Sequence, residues 1–263
     1  KILEYTATPD GTIYDLMKWG NASKKIMAKV GDNYVSSYDL YKRGSIRQYK
    51  DLCGYDRHTH TVHPSIKNNV NELKQCIDAY ETPRYHIIRT QNGSLQNITI
   101  DNIKYGLMPG NYKYIKYDRD SEMNDINNTL GTPPNKHTII FVKEMLRCAK
   151  TLIKTYMGIV YERYTKNPDD ATTVQALVGR TTGYDSNLSV ICFTNIESII
   201  KYNTLRESNF EDKTVKWKSK TTKFIKGNIQ GYKTFNDTVG MVGFETNESV
   251  VEIQTREPVI TKC

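Results

Sequence analysis

The chain has 263 residues, enough for one large or two modest domains. Hydrophobic residues make up 38% and charged residues 25%, the balance of a globular protein rather than a disordered or fibrous one. No run approaches the ~20 apolar residues of a membrane span, and no basic-then-apolar leader opens the chain.

The net charge of +8 fits a polyanionic partner, and it fits equally a surface with spare lysines. The five cysteines, Cys53, Cys76, Cys148, Cys192 and Cys263, are scattered and form no CxxC pair. Cys148 and Cys192 sit in apolar contexts where reduced thiols act as small hydrophobes. That usage points to an intracellular compartment, or to host cytoplasm, nucleus or virion for a viral protein. The sequence begins at Lys1, as a processed product or a fragment does.

In chain order, residues 1–11 read as a strand broken by Pro9, Asp10 and Gly11. Residues 12–19 read as a short helix and 25–30 as a strand. The stretch 37–52 reads as a helix with Ser36 or Ser37 as its N-cap. Residues 53–63 form a loop rich in His and Thr. A second helix spans 69–80, with Val70, Leu73, Ile77 and Tyr80 on one stripe.

From residue 84 strands and helices alternate. Strands are expected at 84–90, 112–117, 137–142, 157–161 and 188–194. Helices are expected at 94–105, 121–130, 143–155, 170–180 and 197–202. This alternation predicts an α/β fold with a parallel sheet covered by helices on both faces. After residue 206 lysines alternate with other residues, and 207–263 reads as a small β-rich basic appendage.

Three segments resemble, in order, motifs of superfamily two helicases, with one further strand among them. Ile2-Leu3-Glu4-Tyr5-Thr6-Ala7-Thr8-Pro9 is similar to motif III, a strand ending in Thr-Ala-Thr. His137-Thr138-Ile139-Ile140-Phe141-Val142 with the following helix resembles motif IV. The strand 157–161 comes next. Gln175-Ala176-Leu177-Val178-Gly179-Arg180, continuing to Asp185, resembles motif VI, with one extra residue between Gln and Gly and with Tyr184 where a second arginine often stands. The longer phrases look similar to helicases of large DNA viruses and phages.

The resemblance implies a RecA-like lobe over 84–206, the end of a first such lobe at 1–11, and a helical connecting region at 12–83. It implies an ATP-dependent motor acting on single-stranded DNA or RNA, with ATP and Mg2+ bound mainly by an upstream ATPase lobe. Arg180 would face the γ-phosphate, Gln175 would touch it or link the two lobes, and Gly179, Thr6 and Thr8 would line the cofactor side, the two threonines coupling the lobes. An arginine there stabilises charge that develops on the transferring phosphoryl group. A helix-terminal ion pair is the plainer role for Arg180, and β-propensity alone explains Thr6 and Thr8 nearly as well.

Candidate nucleic-acid contacts are Lys143 and Arg147, with Lys150 and Lys154 on the helix after motif IV, and Lys216, Trp217, Lys218 and Lys220. Cations interleaved with aromatics suit stacked bases and phosphates; edge-strand lysines that oppose aggregation look the same. Cys53, His58, His60 and His63 are close in sequence, but their spacing matches no closed zinc pattern, and a polar loop is the default. Gly227 to Thr234 is no P-loop, because Tyr232 separates Gly231 from Lys233. With neither Walker element, the chain is not expected to hydrolyse ATP alone. The alternative is a nucleic-acid-binding interaction protein that keeps the fold without motor activity.

Overall fold

The computed structural model describes residues 26, 29–108, 110–119, 121, 125–146, 150–185, 187–212 and 214–218. The segments 1–25 and 219–263, with Thr6, Thr8, Lys220 and the helix expected at 12–19, lie outside the described residues, as does Arg147.

Continuous apolar runs make the central strands. These are β4 (Tyr85–Arg89), β6 (Thr138–Val142), β7 (Met157–Tyr161) and β8 (Ile191–Thr194). Burial on both faces selects such runs in a parallel sheet. β5 (Lys113–Tyr117) closes one edge with exposed lysines, which blunt it against pairing with other chains. The other edge is β1 (Ile46–Gln48), inside the span expected to be helical, which pairs parallel with β8 from Ile46 opposite Cys192. The six strands run β1-β8-β7-β4-β6-β5, all parallel. The parallel, helix-covered sheet expected for 84–206 is therefore present, with one strand more.

The helix expected over 37–52 stops early for a local reason. α1 (Ser37–Lys42) starts with a capping box, in which the Ser36 hydroxyl accepts from Asp39 N–H at 3.1 Å and the Asp39 carboxylate accepts from Ser36 N–H at 3.0 Å. Gly44, at φ 75°, then turns the chain, and Ser45 N–H donates to Leu40 O at 2.9 Å. A left-handed residue after the last turn is the usual end of a helix. A short antiparallel hairpin, β2 (Tyr55–Asp56) with β3 (Thr61–Val62), follows in the His-rich loop.

The pleat sends alternate strand residues to opposite sides. Ile87, Ile140, Val142 and Val160 pack with α1, α4 (Ile126–Leu130), α5 (Asp170–Gln175) and α6 (Ile196–Glu207). Ile88, Ile139, Phe141, Ile159 and Phe193 pack with α2 (Ser65–Asp78) and α3 (Ser94–Leu107). Each fully buried Ile or Leu contributes roughly 1.5–3 kcal/mol. Residues 28–218 form one compact unit, so α1, β1 and α2 belong with the sheet.

The helix expected over 143–155 is absent among the described residues. Glu144 and Leu146 have φ of 54° and 60°, which breaks a helix at its first turn. Residues 150–154 approach β7 without regular structure.

Candidate functional site

The carboxyl ends of β4 and β7 lie side by side. From β4 the chain leaves through α3 toward β5 at one edge; from β7 it leaves through α5 toward β8 on the other side. Open α/β sheets bind ligands in the crevice made by such a reversal. Here the crevice floor carries an ion pair. Arg89, the last residue of β4, places Nη1 3.3 Å from Oε1 of Glu162, the residue after β7. Glu162 is 7% exposed, and its other oxygen accepts from Leu177 N–H at 3.2 Å. One carboxylate thus ties together β4, β7 and the turn beyond α5. Neither partner was singled out from sequence, although an acid directly after a buried apolar run is a readable signal.

Gln175, Gly179 and Arg180 lie in the crossover from β7 to β8. Asp169 caps α5, accepting from Thr172 N–H at 2.6 Å. The helix expected to reach residue 180 ends at Gln175, because Ala176 leaves helical geometry at ψ −130°, and a short 3-10 turn, Val178–Arg180, follows. At Gly179 a Cβ would sit 2.8 Å from Val174 O, so the turn can fold back on α5 only with glycine there. Gln175 and Gly179 are exposed.

Arg180 does not project outward. Its Nη1 donates to Gln175 O at 2.9 Å and to Ala176 O at 2.6 Å, and its Nη2 donates to Leu146 O. A cation over the carbonyl end of a helix is favourable, because those carbonyls lack helical partners. The guanidinium thus clamps α5 to the segment that follows β6.

The rest of the motif VI-like phrase is equally well anchored. Gly183, at φ 120°, exchanges two backbone bonds with Val35, at 3.1 and 3.0 Å. The Tyr184 hydroxyl accepts from Gly31 N–H at 2.9 Å, and its ring meets that of Tyr34 edge-on. Lys154, expected on a basic helix face, is instead buried. Its Nζ donates to Thr182 O at 2.7 Å and to Asp185 Oδ1 at 2.6 Å. That hydrogen bond holds the Asp185 carboxyl below the usual carboxylate range.

The other lysines of that expected face are also paired. Lys143 lies 3.9 Å from Asp118 and Lys150 lies 2.9 Å from Asp125. Lys216, Trp217 and Lys218 form no strand. Trp217 is half-buried against the core, its ring 6.2 Å from that of Tyr202, while Lys216 and Lys218 are exposed. Asp170, 1% exposed, anchors this segment. Its N–H donates to Lys218 O at 2.7 Å, its Oδ2 accepts from Lys218 N–H at 2.8 Å, and Ser198 Oγ donates to its other oxygen. His60 and His63 bond separately to Tyr55 and Ser65. Among the described residues no three His, Cys, Asp or Glu side chains gather as metal ligands, and no helix is long and apolar enough to cross a membrane.

No family model matches the chain, and no solved structure matches it. A similar curated protein is an uncharacterized protein of Acanthamoeba polyphaga mimivirus, 29% identical over 171 residues. The match covers 61% of this chain and 39% of that protein, so the chain spans well under half of its relative.

Proposed function

We propose that the chain is the C-terminal portion of an ATP-dependent nucleic-acid helicase or translocase. ATP and Mg2+ would bind mainly to an upstream lobe, and Arg180 would reach the γ-phosphate from this one. The observation that carries this reading is the chain order of the elements that build one parallel sheet. β6, β7, the Gln175 to Arg180 crossover and β8 follow one another as motif IV through motif VI do in the resembled family. The similar mimivirus protein is uncharacterized and adds a viral relative but no activity to this reading.

In this reading Arg180 trades the Leu146 carbonyl for a phosphate oxygen when the lobes close. The exchange is favourable, because a guanidinium bonds an anionic oxygen about twice as strongly as a neutral carbonyl. The exposed Lys216 and Lys218 contact the backbone of a single strand, with Trp217 beside them.

A second reading rests on the same arginine. Its bonds to carbonyls of its own lobe also suit a RecA-like protein that binds nucleic acid without motor activity. The two separate on whether the full-length protein hydrolyses ATP faster when single-stranded DNA or RNA is added. Stimulated hydrolysis supports the motor; its absence with both strands, alongside intact binding, supports the second reading.

A further inference from the structure

We propose that the groove at the amino ends of β4, β7 and β8 binds a small phosphorylated molecule. It lies at the opposite ends of the strands from the Arg89–Glu162 crevice and measures about 580 Å3. Ligand pockets commonly measure ~300–1,000 Å3. The lining comprises Arg84, the 151–155 loop, Asn127, Asp185, Asn187 and Ser189.

The walls are fixed before any ligand arrives. Asn127 accepts from Ile153 N–H at 3.0 Å and donates to Thr151 O at 3.0 Å. Asn187 donates to Lys154 O at 2.8 Å and to Thr155 O at 3.3 Å. Two amides therefore hold an irregular loop at both ends, where no strand or helix could hold it.

The charges point to a dianion. Among the described lining residues, Arg84 and Lys154 are the cations and Asp185 is the acid. Arg84 Nη1 donates to Thr155 O at 3.0 Å, while its buried Nε–H has no partner, a costly state for a charged group. Lys154 is 7% exposed and depends on Asp185, whose own side chain is 75% exposed and able to rotate into water. A phosphate monoester carries about −1.5 to −2 charge at pH 7. It would displace Asp185 from Lys154, bond the Arg84 fork and neutralise both cations. Leu152 and Ile153 offer an apolar wall to the organic part of the ligand.

The test is calorimetric titration of the protein with ribose 5-phosphate, with ribose as the uncharged control. Binding is expected with Kd below about 1 mM for the phosphate and none for ribose. Asp185→Asn removes the competing carboxylate and should bind more tightly. Arg84→Gln should bind about tenfold more weakly or worse. Both variants should give the wild-type circular dichroism spectrum, so that neither result reflects misfolding. Absence of binding, equal binding of ribose, or equal affinity in wild type and Asp185→Asn would overturn the proposal. So would displacement of ribose 5-phosphate by a short single-stranded oligonucleotide, which would make the groove a strand contact.

Discussion

Lowering the pH from 7 to 5 should destabilise this protein through its central strand. His86 lies in β4 and is fully buried. Its Nδ1 accepts from Ile159 N–H at 3.1 Å, so its Nε2 carries the proton and donates to His137 Nδ1 at 3.0 Å. A second proton on His86 would point Nδ1–H at another N–H. Burial, with His137 and Arg84 adding like charge, pushes the His86 pKa down from 6.5 to about 3. Burial also lowers that of His137. Between the two His86 values the unfolded chain takes up a proton that the folded chain refuses. Stability is therefore complete above pH 6.5 and declines as the pH falls toward 3. At pH 5 the gap from 6.5 is 1.5 units, worth about 2 kcal/mol from His86 alone. The carboxyls of Asp39, Asp78, Asp125 and Asp185 are held below their usual range, so their contributions vanish only at lower pH. Urea titrations at pH 7, 6 and 5 read the effect directly. His86→Gln should begin less stable at pH 7 and lose most of the pH slope. A wild-type stability that stays flat from pH 7 to 5 would refute the neutral, buried assignment of His86.

Gly183→Ala should lower stability by roughly 1–3 kcal/mol, because φ 120° is a region side chains rarely adopt and the new Cβ would lie 3.3 Å from Asp185 Oδ1; a thermal melt checks it. Ile46→Ala should cost about 2–4 kcal/mol by urea titration, since Ile46 is buried where β1 meets β8. A result near zero would detach β1 from the sheet. The protein should bind a labelled single-stranded oligonucleotide with an affinity that falls as salt rises. Lys216→Ala and Lys218→Ala should each reduce the salt slope by about 1, and an unchanged slope would remove them from the interface.

The parts of the fold legible in the sequence are those fixed by long local signals. β6 and β7 are unbroken apolar runs, and α2 carries its stripe at Val70, Leu73 and Ile77, so both period and length identify them. β1 escaped because three residues with one buried side chain look no different from a helix continuing out of α1. Gly44 was the visible stop signal. The helix missing after β6 among the described residues is a tertiary override of a good amphipathic pattern. Arg180 and Asn92 instead bond Leu146 O and the Glu144 carboxylate, favouring turns there. The candidate site divides the same way. The Gln175 to Arg180 phrase was visible in sequence. The Arg89–Glu162 pair joins residues 73 apart in sequence and needs the sheet to bring them together.

The sharpest measurement is ATP turnover by the full-length protein with saturating single-stranded nucleic acid, comparing wild type with Arg180→Ala and Arg180→Lys. If Arg180 reaches the γ-phosphate, the alanine variant should lose ~10³-fold or more in turnover while remaining folded. The lysine variant should fail as well, because a point charge does not reproduce the planar fork. Wild-type turnover in Arg180→Ala would instead leave the guanidinium as nothing more than the clamp that ties α5 to Leu146.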